Sequence, residues 1–328
     1  MGTGIATEPA PRGTNDRSQA DARRRRFVGA VVIPLAGLIA VASILLVSSG
    51  GTDSSSGQPQ AIPRSQATAP SASQATTAPP SPSTAPPATT AGPTTGMHVV
   101  FSDTFDGSSL DPTKWSTCYP WADTGRGCTN FGNAELQWYL PSQAQVADGT
   151  ARLVASKVPT AGTTRDQRPK TYPWRSGMLT TFKSAVFTYG YVEVVARPPK
   201  GDGLWSTIWL LPHDQTWPPE LDIAEVYGAY PDHVTYAYHG ASGNRPFFNN
   251  GTSDLTTGWH TYGMDWEPGS LTWYFDGKRV YHYDGPTPNE PMYFLATLAF
   301  AHVLGGDPKA ETSADSSLDL RQVTIYQR

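Results

Sequence analysis

Three carboxylates fall within six residues at Glu220-Leu-Asp222-Ile-Ala-Glu225, interleaved with Leu221, Ile223, Ala224 and Val226. Alternation of this kind marks a strand with one polar and one buried face, and on it Glu220 and Asp222 share the polar side. Glu225 is five positions beyond Glu220, so strict alternation drives it into the apolar face, where an unpaired carboxylate is costly. One extra residue at Ile223-Ala224, a β-bulge, returns it to the others. Carboxylates grouped in this way suit glycosidic bond cleavage: the retaining reaction needs one ionised as nucleophile and another protonated as acid, ~5–5.5 Å apart. Four strand steps separate the backbones by about 13 Å, so the sheet must curve concavely and the side chains must lean together. Three close carboxylates cannot all ionise near neutral pH. The retained proton is expected mainly on Glu225, or shared with Asp222.

A solvated acidic strand would carry the same letters, and the preceding residues distinguish the two readings. Gly203-Leu-Trp205-Ser-Thr-Ile-Trp209-Leu-Leu-Pro212 sets two tryptophans four apart, on one face of a strand, and the apolar faces of sugar rings stack on such indoles. Trp205 and Trp209 are therefore candidate substrate platforms, although most of the chain's ten tryptophans belong to the core or its rim.

The elements that must hold these residues are strands. Thr261 to Trp266, Leu271 to Phe275 and Lys278 to Tyr283 read as a meander, the last two joined by Asp276-Gly277, a dipeptide suited to a tight hairpin turn. Phe187 to Arg197 alternates with Val192, Val194 and Ala196 on one face, and Leu320 to Tyr326 reads as a final strand. Helical periodicity is nearly absent, whereas turn signals recur every 8–12 residues or so. The expected fold is all-β, two packed antiparallel sheets in a sandwich or jelly roll.

Composition confines that fold to the C-terminal part. Residues 48–96 form a Ser/Thr/Ala/Pro-rich linker in which only Asp53 and Arg64 are charged. Such a segment buries too little apolar surface to offset the entropy of ordering it. The folded domain is expected at 97–328. Residues 1–26 carry six arginines against three acidic residues, so the folded part is at net −7 although the whole chain is at −4. That acidity disfavours nucleic acid and leaves a neutral polymer as the better partner.

Residues 27–47 are an uncharged run behind Arg23 to Arg26, long enough to span a bilayer with its N-terminal end in the cytoplasm. A cleaved signal is the rival reading, with Ala40-Val41-Ala42 as its cleavage site and a twin-arginine-like Arg-Arg-Arg-Phe-Val. The anchor is preferred for its length, and both readings export the domain. Cys118 and Cys128, the only cysteines, then form a loop-closing disulfide, since their spacing suits neither a redox pair nor a metal knuckle.

Taken together, the chain resembles glycoside hydrolase family 16 in its laminarinase-like branch. The specific match is Glu220-Leu-Asp222-Ile-Ala-Glu225 behind Gly-Leu-Trp…Trp-Leu-Leu-Pro. Lesser matches run through Phe101-Ser-Asp-Thr-Phe-Asp-Gly, Leu110-Asp-Pro-Thr-Lys-Trp115, Gly132-Asn-Ala-Glu-Leu-Gln137, Ser176-Gly-Met-Leu-Thr180, Tyr189-Gly-Tyr-Val-Glu193 and Trp259-His-Thr-Tyr-Gly-Met-Asp-Trp266. The resemblance covers essentially Val99 to Arg328 and implies a jelly roll with a concave β-glucan cleft and retaining endo-hydrolysis. It implies Glu220 as nucleophile, Glu225 as acid/base, Asp222 as the residue that orients and tunes them, and Asn133 and His239 as polar cleft residues. For His239 a buried, satisfied imidazole is the competing reading. The chain departs from the pattern at Met178, at Thr297-Leu-Ala299, and in Phe-Ala-His302-Val-Leu-Gly-Gly. Many relatives hold a structural calcium, but the acidic residue expected before the last strand is Arg321 here. No metal or other cofactor is expected to be required, and no H-E-x-x-H motif occurs.

The leading expectation is a monomeric endo-β-1,3-glucanase. A hydrolase or transglycosylase acting on another β-linked polymer shares every catalytic residue. A non-catalytic glucan-binding module has no use for a costly carboxylate cluster.

Overall fold

Asp276 and Gly277 both adopt positive φ, 46° and 73°, as the tight turn between two twisted strands requires. The hairpin they close joins Ser270–Phe275 to Lys278–Asp284, and His260–Glu267 completes the expected meander. The computed structural model describes residues 93–241, 243–244, 247–250, 253–300, 308 and 316–328. The Phe27 to Val47 run, nearly all of the 48–96 linker, and His302 lie outside the described residues. Among the described residues no helix is long and apolar enough to cross a membrane.

Two antiparallel sheets, each of eight strands, dominate the fold. The first runs in the order Lys278–Asp284, Ser270–Phe275, His260–Glu267, Gly190–Arg197, Ser317–Gln327, Thr150–Val154, Ala144–Ala147, with His98–Asp103 also paired to Ser317–Gln327. The second, which carries the candidate chemistry, places Glu220–Tyr227 between Leu204–Pro212 and His233–Gly240, with Met292–Phe300 on the far side of Leu204–Pro212. Helical structure among the described residues is limited to three short 3₁₀ turns.

Two sequence boundaries are corrected. The Phe187 to Arg197 run is not one strand: Val186–Phe187 pairs in the second sheet and Gly190–Arg197 in the first, with a break at Tyr189 (φ 62°) and Gly190 (φ 139°). The final strand starts at Ser317 rather than Leu320, so Arg321 lies inside it, with its guanidinium 4.1 Å from the Trp259 ring.

The inter-sheet core explains why one face of each strand is apolar. Val192, Val194, Met264, Trp266 and Ile325 of the first sheet pack in one cluster with Ile208, Leu210, Leu221, Ile223, Ala224 and Phe294 of the second. Each such large apolar side chain contributes roughly 1.5–3 kcal/mol by leaving water. Ile223 and Ala224 are consecutive yet both belong to this core, which a regular strand forbids and a bulge allows. Trp273, fully buried on the opposing sheet, reaches across and donates its indole N–H to the Asp222 carbonyl at 2.9 Å. A bulge disrupts the ladder locally, and this indole supplies a partner where the acidic strand departs from regular pairing.

Candidate active site

The bulge lies where the sequence places it. Along Leu204–Pro212 the register jumps from Ile208 opposite Ala224 to Trp209 opposite Asp222, which leaves Ile223 without an opposite residue. On the other side Asp222 faces Ala237 and Glu225 faces Thr235, three steps against two. Glu220, Asp222 and Glu225 therefore share one face of the sheet, turned away from the inter-sheet core.

Cross-strand neighbours on that face build the site in rows. Met178, Thr297, Thr207, Glu225 and Thr235 lie side by side across five strands. The next row runs through Thr180, Leu295, Trp209, Asp222 and Ala237. Glu220 pairs with His239. Two departures from the resembled pattern, Met178 and Thr297, thus sit in the same row as Glu225.

Each carboxylate has its own surroundings. Glu220 keeps 20% of its side chain exposed, and the Trp217 indole donates to its Oε2 at 2.8 Å. Asp222 is 1% exposed, with His239 Nε2 3.2 Å from its Oδ2; the same nitrogen lies 3.9 Å from Glu220 Oε1. Glu225 is buried, and its Oε1 accepts from Trp205 Nε1 at 3.0 Å and from the Tyr227 hydroxyl at 3.4 Å. Burial and then the negative charge of Asp222 push Glu220 up to about 8, against the opposing influence of His239 and the Trp217 N–H. Burial, Asp222 and Glu220 in turn hold Glu225 well above the usual carboxylate range. Like charges this close cannot all be present in a low-dielectric site. Burial and Asp222 raise both glutamates, and Glu225, which faces two acidic neighbours, is held the more firmly protonated, so that Glu220, with the larger exposed share, gives up its proton first.

The remaining sequence candidates divide. His239 is brought into the cluster. Trp205 and Trp209 point to the same face as the carboxylates but are only 9% and 5% exposed. Trp205 stacks on Tyr227 with 5.9 Å between ring centroids and a 24° interplanar angle, so its burial serves Glu225 as a hydrogen-bond donor, a role its spacing did not indicate. Trp209 packs with Tyr119, Tyr139, Met178, Leu211, Tyr293 and Leu295. Asn133 closes a short turn before Gln137–Tyr139, and its side chain hydrogen-bonds Glu135. Glu135 is itself buried and raised to about 7, with desolvation as the main cause.

Cys118 and Cys128 form the expected disulfide. It anchors Tyr119, which stacks on Trp121 at 4.1 Å and meets the Trp209 ring edge-on at 6.3 Å. Three contributors were missed from sequence. Tyr227 was legible, two positions beyond Glu225 and so on its face. Trp217 lies in a loop, where alternation gives no direction, and Trp273 acts from the opposite sheet.

Among the described residues at the start of the last strand, the carboxylate Asp319 is engaged by Arg197 at 2.7 Å and Arg152 at 3.4 Å. Among the described residues the one gathering of three acidic or imidazole donors is Glu220, Asp222 and His239.

Two antiparallel sheets with a bulged three-carboxylate strand on one face define an all-β protein of the jelly-roll class. The sequence profile of glycosyl hydrolases family 16 matches residues 134–317, and the chain belongs to that family. An endo-1,3-1,4-beta-glycanase of Rhizobium meliloti is 36% identical over 62% of this chain and 46% of its own length. A beta-glucanase of Rhodothermus marinus is 34% identical over 70% of this chain and 84% of that protein. The chain thus spans about half the length of the Rhizobium relative it matches. Among solved structures, the endo-beta-1,3-glucanase from Pyrococcus furiosus superposes with a TM-score of 0.62 at 25% identity, covering 70% of this chain and 94% of that one.

Proposed function

We propose that the 97–328 domain is a retaining endo-glycosidase that cleaves β-glucan, with β-1,3-glucan of the laminarin type as its substrate. The observation that carries this reading is the bulged strand, which gathers an ionisable Glu220 and a proton-holding Glu225 on one face around the buried Asp222. In this reading Glu220 attacks the anomeric carbon while Glu225 gives its proton to the departing glycosidic oxygen, forming a glycosyl ester and a shortened chain. Glu225, now ionised, takes a proton from water as that water attacks the ester, and Glu220 leaves with its electron pair. Two inversions restore the β configuration. Asp222 carries the charge that keeps Glu225 protonated, while His239 beside it and Trp217 on Glu220 favour an ionised nucleophile.

The activities for which the relatives are named support a β-glucan and differ in linkage, and the 36% identity to an endo-1,3-1,4-beta-glycanase makes mixed-linkage glucan the second reading. Proton NMR of the purified chain with laminarin, mixed-linkage glucan and cellulose in parallel tests both. The expected result is β-configured oligosaccharides as the first products, released fastest from laminarin. Initial α-anomers would rule out double displacement, and no release from any of the three would rule out a β-glucanase.

The domain is further proposed to work as an exported monomer tethered by residues 27–47. The acidic domain and the uncharged run suit a neutral polymer outside a membrane. Cell fractionation with N-terminal sequencing checks the tether: an intact membrane-bound N-terminus is expected, and a soluble product beginning near Ser43 would replace it with a cleaved signal.

A further inference from the structure

The Glu220, Asp222 and His239 donor atoms lie within 4.8 Å of one another. This triangle has more than the general attraction of an acidic patch. Asp222 is 1% exposed, and neither of its carboxylate oxygens makes a well-formed hydrogen bond, the His239 contact being ionic. A buried carboxylate so placed, with only the other two members of the triangle beside its oxygens, is an acceptor aimed into the cluster. His239 Nε2 stands 3.2 Å from Asp222 Oδ2 and 3.9 Å from Glu220 Oε1.

Tetrahedral zinc, with bonds of ~2.0–2.2 Å to nitrogen and oxygen, holds its ligands about 3.3–3.5 Å apart. The two measured edges bracket that spacing, so small side-chain movements bring all three donors into range of one ion. The donor set also selects the metal. An imidazole with two carboxylates suits zinc and copper, whereas calcium takes 6–8 oxygen ligands that this triangle lacks. His239 and Glu220 are 24% and 20% exposed, which leaves a side open for entry and for a fourth ligand. The pairs His233 with Asp232 and His282 with Asp284 supply only one imidazole and one carboxylate each.

We propose that Glu220, Asp222 and His239 form a binding site for a zinc-class divalent cation, whose occupancy takes the Glu220 carboxylate out of use and blocks hydrolysis in competition with glucan. The binding half stands on the geometry alone; the inhibitory half rests on the glycosidase reading above. In it the ion neutralises the buried Asp222 charge, and Glu220 spends on the metal the electron pair it would otherwise direct at the anomeric carbon.

The test is calorimetric titration of the purified, metal-stripped full chain with zinc ion at one fixed pH, beside laminarin hydrolysis at rising zinc. One site with micromolar or tighter affinity is expected, weakened about 100-fold or more in His239→Ala and in Asp222→Asn, and unchanged in His282→Ala. Folding of each variant is checked by thermal melting without metal. Competitive inhibition by zinc, lost in step with binding, supports the inhibitory half. Absence of a tight site in the parent chain, or affinity unchanged from the parent in either site variant, overturns the proposal. Because binding is read without substrate, a chain that binds zinc through His239 yet leaves β-glucan intact would refute the glycosidase reading and leave the metal site standing.

Discussion

Glu220→Gln and Glu225→Gln are each expected to lower turnover of laminarin by about four orders of magnitude or more, because on the proposed assignment one removes the nucleophile and the other the proton donor. The fold should survive both changes. Each Gln keeps the shape of the side chain and cannot take on the charge that burial and Asp222 disfavour, so thermal stability is expected to hold or rise at neutral pH. The two roles separate with an aryl β-glucoside oligomer whose leaving group needs no proton. Glu225→Ala should still form the glycosyl ester on Glu220, and added azide, needing no general base, should intercept it as a β-glycosyl azide. Glu220→Ala forms no ester, so azide attacks directly and yields the α-glycosyl azide. Near wild-type rates in either Gln variant, or the same azide anomer from both Ala variants, would sink the assignment.

What was legible in the sequence follows the range of the forces involved. The bulge could be read from three letters, because a carboxylate on the apolar face costs more than a local break in the ladder. The Asp276-Gly277 turn could be read because only a few residue types tolerate its backbone. Chain-distant contacts were not legible. Nothing in the spacing of Trp273 announces that it caps the Asp222 carbonyl from the other sheet, and Trp217 finds Glu220 only because a loop folds back. The spacing of Trp205 and Trp209 suggests a sugar platform but does not show that Trp205, opposite Tyr227, also turns its N–H toward Glu225. Periodicity assigns a face; the donor's target depends on which strand lies alongside. The split at Tyr189 was hidden for a related reason, since the residues on both sides of it remain strand formers and only sheet membership changes.

Asp222 ties these contacts to pH dependence. Its negative charge raises both neighbouring glutamates and follows only desolvation among the causes for each. Asp222→Asn is therefore expected to move both limbs of the kcat/KM profile to lower pH. The alkaline limb reports loss of the Glu225 proton, and with Asp222 neutral Glu225 releases it sooner; the acid limb reports ionisation of Glu220, which also becomes easier. Rate at the optimum should fall as well, since the acid is less well held in its protonated form and His239 loses its charged neighbour. Stability gives a second reading with a definite sign. The folded state raises Glu220 from an ordinary 4.5 to about 8, so this group favours folding fully below pH 4.5, and that contribution is lost as pH climbs through 8. Removing the Asp222 charge narrows the window, and melting temperature should decline less between those limits in Asp222→Asn than in the parent chain. Asp222 also bears on Tyr227, whose hydroxyl burial and nearby charge, that of Asp222 included, hold above the usual value, and on His239 beside it, so the comparison reads the whole cluster and not Glu220 alone. An alkaline limb that stays in place, or a melting profile as steep as the parent's, would show that burial alone sets the two carboxylates and that Asp222 has only a positioning role.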